Sequence, residues 1–191
     1  MLKINFGCFS SNIDGWIGVD HALRHIIVQR IPFMSFFLWK FRILNDTQYD
    51  WHKRGLFRTV VYGDARERLK FGTESADYVY SSHLLEHLFR DEAVFFLKEC
   101  FRILRTGGKI RICIPDWDSL KIQPSFENSG FAKNRKEMKN SHKWSWAKAD
   151  LGQVLTNIGF RNIMEYDFQK GNFPDVERLE HRKGLILQGQ K

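Results

Sequence analysis

His83, His87 and His142 are the side chains in this chain best suited to proton transfer, because imidazole titrates near neutrality. Each is a candidate general base, and His142 leads because it stands where a loop meets the start of a helical pattern. Two further positions suit ligand binding. Gly7 directly follows the apolar run Leu2 to Phe6, where a residue without Cβ lets the backbone approach a ligand. Asp20 closes a second short run, Trp16 to Val19, where a carboxylate can accept both hydroxyls of a ribose. A lone glycine and acid are a weak signal. Cys8, Cys100 and Cys113 are odd in number, fall inside expected elements and show no metal-ligand spacing, so they read as reduced packing residues and no metal site is expected.

These residues need elements to position them, and the stretch from Ala76 to Asp116 is the clearest. Tyr78, Val79 and Tyr80 suit a buried strand, and Ser81, Ser82 and His83 end it with a polar patch. From Asp91 the apolar positions Val94, Leu97, Phe101 and Leu104 recur at helical spacing. Thr106-Gly107-Gly108 reads as the helix stop, and Ile110, Ile112 and Ile114 as the next strand, which completes a strand–helix–strand crossover. Thr59 to Tyr62 reads as a strand ending in Gly63-Asp64-Ala65. Leu151, Val154, Leu155 and Ile158 form a helical pattern stopped by Gly159, followed by strands Ile163 to Phe168 and Gly184 to Gln188. The charged loop between those strands, with Pro174, suggests no role.

Composition sets the bounds. A chain of 191 residues with 43% hydrophobic content is expected to be one domain with a real core. No secretory leader and no apolar run near the roughly 20 residues of a spanning helix is visible, so a cytoplasmic location is expected. The formal charge is +8, and it is unevenly spread. Between His21 and Arg58 seven Lys or Arg (Arg24, Arg30, Lys40, Arg42, Lys53, Arg54, Arg58) face only Asp46 and Asp50, and a second basic cluster runs through Lys133, Arg135, Lys136, Lys139 and Lys143. Solvated charged faces and attraction to a phosphate-bearing or anionic surface both fit. From His21 to Trp51, Leu23, Ile27, Ile31, Met34, Leu38, Phe41 and Leu44 have amphipathic helical spacing interrupted near Pro32, and Phe33, Phe36, Phe37 and Trp39 widen the apolar face.

The run Asp77 to His87 follows the pattern D-x-V-x-x-x-x-x-L-E-H, and Arg102 to Pro115 follows R-x-L-x-P-G-G-x-x-x-x-x-x-P with Thr106 in place of the first proline. Both resemble the second half of class I S-adenosylmethionine-dependent methyltransferases of the methyltransferase type 11 kind. The opening, with Asn5, Gly7, Cys8, Gly15, Trp16, Val19 and Asp20, is similar to small methyltransferases found with polysaccharide-modification enzymes, although Phe9 stands where they have a second glycine. His142, Lys143, Leu151, Leu155, Gly159 and Phe160 also match a family arrangement. The resemblance implies an α/β, Rossmann-like, doubly wound sheet of seven strands in a three-layer sandwich, order 3-2-1-4-5-7-6, with the last strand antiparallel. It implies a single domain over residues 1–191, with an apolar and basic insertion at about 21–55.

The same resemblance implies S-adenosyl-L-methionine as cofactor, with S-adenosyl-L-homocysteine as product. It assigns the cofactor to Gly7, Cys8, Phe9, Asp20, His21, Asp64, Ala65, Ser81, Ser82 and His83, with Asp64 and Ala65 at the adenine edge. Methyl transfer to oxygen or nitrogen of a small-molecule acceptor, anionic or amphiphilic in character, is the leading expectation. The acceptor is placed between Ser81 to His87, the loop after Asp116 and the segment His142 to Trp146, with Trp144 and Trp146 as flat surfaces and Lys139 and Lys143 for a phosphate. A degenerate cofactor-binding subunit, motivated by Phe9, and an RNA methyltransferase, motivated by the charge, are the alternatives. Nucleic acid is disfavoured because no RNA-binding module is appended and no Asn-Pro-Pro-Tyr-like motif follows strand four. A nicotinamide dehydrogenase is disfavoured because two of its three glycines are missing. Residues 21–55 leave open a peripheral membrane contact or a homodimer.

Overall fold

The computed structural model describes residues 1–116 and 143–191. Seven strands form one sheet: β1 (Lys3–Phe6), β2 (Ile17–Asp20), β3 (Val60–Tyr62), β4 (Ala76–Ser82), β5 (Leu104–Ile114), β6 (Arg161–Glu165) and β7 (Leu185–Gln190). Their order is β3-β2-β1-β4-β5-β7-β6, as expected. Strands β1 to β5 pair in parallel, and β7 runs antiparallel to both β5 and β6. The parallel ladders place the ends of β1, β2, β3 and β4 along one edge, which aligns Phe6 with Val19 and with Ser81, and Asp20 with Tyr62.

Alternation of side chains across the pleat divides the chemistry between two faces. On one face Ile4, Phe6, Val79, Ile110, Ile112, Ile114, Leu185 and Leu187 are buried beneath α4 (Arg90–Ile103) and α5 (Lys148–Ile158). Asp91 and Glu92 suit the positive first turn of α4, and the Glu92 carboxylate accepts the Phe89 N–H at 2.9 Å. The stripe that α4 buries is Ala93, Phe96, Leu97, Cys100 and Ile103, so Val94 and Phe101 are only half-buried, a rotation from the expected stripe. The helix also ends sooner than expected. Leu104 already begins β5, and Gly107 and Gly108 bend the start of that strand where its register against β4 shifts. Gly107 has φ +79°, and a Cβ at Gly108 would stand 2.9 Å from the Arg105 carbonyl oxygen. No helix joins β3 to β4. Instead Arg102 fixes that connection to α4, pairing with Glu99 at 2.8 Å and donating to the Leu69 and Phe71 carbonyls, while Glu99 accepts the Leu69 N–H.

On the other face, β4 and β5 present Tyr78, Tyr80 and Arg111 to the segment that follows β6. Phe173 sits on Trp16, Tyr78 and Tyr80, and the short helix α6 (Val176–Leu179) adds Val176 and Leu179. Arg111 and Glu180, both fully buried, pair at 2.5 Å, and Arg111 also donates to the Lys170 carbonyl. The loop for which the sequence suggested no role is therefore the cover of this face.

Three short helices fill the stretch read as one interrupted pattern: α1 (Leu23–Arg30), α2 (Met34–Lys40) and α3 (Asp46–Lys53). Asn45 caps α3 reciprocally with Gln48, a full capping box. The inner sides of α1 and α3 meet in a small core of Cys8, Ile26, Phe57 and Val60, with Trp51 against it. Within it His25 Nδ1 lies 3.1 Å from His52 Nε2, the His25 ring stacks on His52 and on Phe57, and His52 meets Phe57 at a tilt. Burial pushes the His52 imidazole down to about 4, with the charges of His25 and Arg24 adding to the shift. Burial and Arg24 likewise lower His25, which Asp20 opposes. The three cysteines are free and buried.

Two outcomes are expected. Arg111→Met leaves the Glu180 carboxylate buried without its partner and should cost roughly 3–5 kcal/mol, read as a lower urea midpoint at an unchanged slope. The histidine pair should make stability fall on acidification. Above about 6.5 both imidazoles are neutral folded or unfolded. Below it the unfolded chain binds protons that His52 refuses down to about 4. Each such histidine then removes up to roughly 1.4 kcal/mol per pH unit. Urea melts between these limits should show a shallower slope for His52→Leu than for the parent chain; parallel slopes would contradict the assignment.

Candidate functional site

The expected cofactor residues do meet at one edge. Gly7 leaves β1 with φ +70°, and a Cβ there would lie 3.1 Å from the Leu84 Cβ, so the glycine lets the turn after β1 touch the elbow after β4. The Gly7 N–H bonds the Val19 carbonyl at 2.9 Å. Asp20, 7% exposed, accepts the Phe9 N–H on one oxygen and the Ala22 N–H on the other, at 2.8 and 2.9 Å. It therefore closes the loop after β1 onto the start of α1. Each oxygen keeps a free lone pair. His21 is mostly solvent-exposed, with Nδ1 3.6 Å from Asp20. Cys8 is buried, and burial together with the Asp20 charge pushes its thiol well above the usual range, so it is a packing residue rather than a nucleophile.

Phe9 takes φ +42°, the left-handed region that a glycine occupies without strain. Its ring meets Trp51, Phe57 and His25 edge-on, with centroids 5.2, 5.3 and 5.8 Å away. The aromatic core beneath α1 and α3 thus holds the side chain that replaces the expected glycine. This contact is invisible to a motif, because its partners are brought to Phe9 by the tertiary packing of α1 and α3.

After β3, Asp64 is engaged by its neighbour. The Arg66 guanidinium takes both carboxylate oxygens and holds that carboxyl below its ordinary range, and the Arg66 N–H bonds it as well. Arg66 was absent from the expected site; a basic residue two positions beyond a turn aspartate was the available signal. Ala65 beside it is half-buried. A cleft of about 300 Å³ is lined by Ile17, Val19, Val61, Tyr62 and the turn and connection after β3, including Asp64 and Phe71. Gly7, Asp20 and Ser81 do not line it, so it flanks the edge rather than forming its centre.

The elbow after β4 is the most polar buried place. Ser81 and Ser82 belong to the strand itself, paired with Ile112 and Cys113, so the strand runs further than its apolar residues suggested. His83 turns the chain with φ +51°, and its N–H bonds the Cys113 carbonyl at 2.8 Å. Its Nδ1 stands 3.0 Å from an oxygen of Glu86, a carboxylate only 1% exposed. His83 Nε2, Ser81 Oγ, the second Glu86 oxygen and Trp144 Nε1 are all buried without a hydrogen-bond partner among the described residues. Glu86 was read only as a letter of a motif, yet it is the group that orients His83. His87 ends the short 3-10 turn Leu85–His87, half-buried, its N–H on the Leu84 carbonyl.

The segment after the second basic cluster lies against this elbow. The Lys143 and Trp144 N–H groups both bond the Glu86 carbonyl, at 2.7 and 3.4 Å. Trp146 is 1% exposed with its Nε1 toward the Leu85 carbonyl, so it is a core residue rather than the flat surface expected of it. Trp144 is half-buried, and Arg90 stands over both indoles. The Lys143 ammonium lies 5.1 Å from the Phe89 ring. His142, Lys139 and most of the second basic cluster lie outside the described residues.

Residues 44–112 match the model of a family described as a methyltransferase domain. No curated protein matches the chain. Among solved structures, an S-adenosylmethionine-dependent methyltransferase from Thermotoga maritima is 17% identical, covering 100% of this chain and 82% of its own at a TM-score of 0.57. One from Archaeoglobus fulgidus is 18% identical, covering 100% and 86%, also at 0.57. PigF, solved with SAH, is 12% identical at a TM-score of 0.56, with this chain spanning 50% of its length. Identities this low establish the fold. The match to a methyltransferase-domain model over residues 44–112 and the strand order agree, and the chain has the Rossmann-like fold of S-adenosylmethionine-dependent methyltransferases.

Proposed function

We propose that the chain transfers a methyl group to an oxygen or nitrogen of a small-molecule acceptor bound between the β4 elbow and the segment starting at Lys143. The observation behind this reading is the set of buried polar atoms on Ser81, His83, Glu86 and Trp144 that have no partner among the described residues. Such atoms cost roughly 1–3 kcal/mol each when left unmade, so a polar ligand is the natural partner for them.

The bound cofactor supplies an electrophilic methyl group on sulfur. Asp20 suits its ribose, since both carboxylate oxygens retain a lone pair beside the N–H they already accept. Gly7 would give the close backbone approach, and Asp64, already charge-balanced by Arg66, would take the adenine side. A hydroxyl or amine acceptor that received that methyl group would have to lose a proton, and the chain must offer a group to take it. His83 is that base: Glu86 holds Nδ1, which leaves Nε2 for the acceptor. His87 and His142 are the other imidazoles within this part of the chain, with structural and unassigned roles respectively. The Phe9 ring is occupied by Trp51, Phe57 and His25, which favours an intact cofactor site over the degenerate reading.

Calorimetry with S-adenosylhomocysteine should show one site. Asp20→Ala should weaken it by about tenfold or more, since a hydrogen bond to a charged group is worth roughly 1.5–3 kcal/mol; absence of binding by the parent chain would sink the cofactor assignment. In a screen of hydroxyl and amine acceptors with labelled cofactor, His83→Gln and Glu86→Gln should lower turnover by about 10²–10⁴-fold and about tenfold respectively. Undiminished turnover in His83→Gln would remove it as the base.

A further inference from the structure

The largest departure from ordinary packing lies outside the site. Nine of the fifteen exposed large apolar side chains among the described residues fall between Leu23 and Ile43, and α2 buries none of its residues. Four of them, Phe33, Phe37, Phe41 and Ile43, are more than half exposed. Phe33, Phe37 and Phe41, four residues apart, are 76%, 53% and 71% exposed, and residues at that spacing stack along one side of a helix. The opposite side of α2 is fastened to α3, with Trp39 stacked on Tyr49 at 4.8 Å and its Nε1 donating to Asp46 at 2.7 Å. The phenylalanine stripe is therefore held outward by a fixed base. Phe33 and Arg42, at either end of α2, both adopt positive φ, so the chain turns sharply into and out of this projection.

Charge tells what could cover it. Arg24, Arg30, Lys40 and Arg42 are exposed on the same helices and their ends, and the stretch from His21 to Arg58 holds seven Lys or Arg against two Asp. A second copy of this chain meeting the patch about a two-fold axis would set the same cations against each other. The stripe projects rather than forming a groove, so it presents no pocket for a partner's helix. Protruding aromatics rimmed by Lys and Arg suit a fluid anionic surface, into which rings insert while the cations stay at the phosphates.

We infer that α1 and α2 form a docking surface for an anionic lipid bilayer. This deepens the methyltransferase reading and rests on it only for the substrate class. His25 of α1 and Trp51 of α3 grip Phe9, whose N–H is held by Asp20, so the docked patch and the cofactor edge move as one body. Docking brings the reaction edge to the lipid surface, and the acceptor class is then an amphiphile anchored there.

The test is co-sedimentation of the full chain with phosphatidylcholine vesicles holding about one-third phosphatidylglycerol. The chain should bind these about tenfold more tightly than pure phosphatidylcholine, and lose that advantage at high salt. Phe37→Ser/Phe41→Ser should weaken binding about tenfold, and Arg30→Glu/Lys40→Glu should abolish the preference for anionic lipid. Both variants should keep the far-ultraviolet circular dichroism and the S-adenosylhomocysteine affinity of the parent. No vesicle binding, or vesicle binding that neither variant alters, overturns the proposal. So does a dimer in sedimentation velocity that Phe37→Ser/Phe41→Ser dissolves in the absence of vesicle binding, which would assign the stripe to a second copy. Vesicle binding without S-adenosylhomocysteine binding would uphold the surface and refute the cofactor assignment instead.

Discussion

The buried pair of Arg111 and Glu180 is the contact on which the second face of the sheet depends. Where a doubly wound protein covers both faces with long crossover helices, this chain runs directly from β1 to β2 and from β3 to β4 with loops. The face bearing Trp16, Tyr78 and Tyr80 would be left open. It is closed by the stretch around Phe173 and α6, which is too short to hold itself by helix formation. Two desolvated charges with further hydrogen bonds to Lys170 and Gln169 supply a directional anchor that apolar contact alone lacks, at the cost of burying ions.

A second fastening joins the site to its surroundings. Asp20 takes the Phe9 and Ala22 N–H groups, Phe9 reaches Trp51, and Trp51 belongs to the helix on which α2 rests. Through these contacts the loop after β1 is shaped by residues far along the chain. Phe9 takes a left-handed conformation that glycine would adopt freely, held there by an aromatic core in place of backbone permissiveness.

Strand order and the antiparallel last strand were legible through the family resemblance that the ordered motifs carry, and the edge bearing Gly7, Asp20, Asp64 and Ser81 through the ends of the apolar runs. What escaped has physical reasons. Ser81 and Ser82 look like a strand end, but ladder bonds to β5 satisfy their backbones. Gly107 and Gly108 look like a helix cap, yet they bend a strand, since the same freedom serves either use. Glu86 acts through His83 three residues before it, and spacing alone gives no hint that this acid would be 1% exposed. Trp146 shows that an aromatic near a loop can be core when a carbonyl is available to its indole N–H.

The placement of β7 between β5 and β6 has a consequence for how the chain is made. Residues 104–114 emerge from synthesis well before residues 185–190, their neighbours in the sheet. Until then the outer edge of β5 offers unpaired backbone beside Ile110, Ile112 and Ile114, which is an invitation to pair with another nascent chain. Arg111 and Lys109 interrupt that edge with charge. The arginine that later locks the finished face thus also serves, during biogenesis, as a gatekeeper against mispairing.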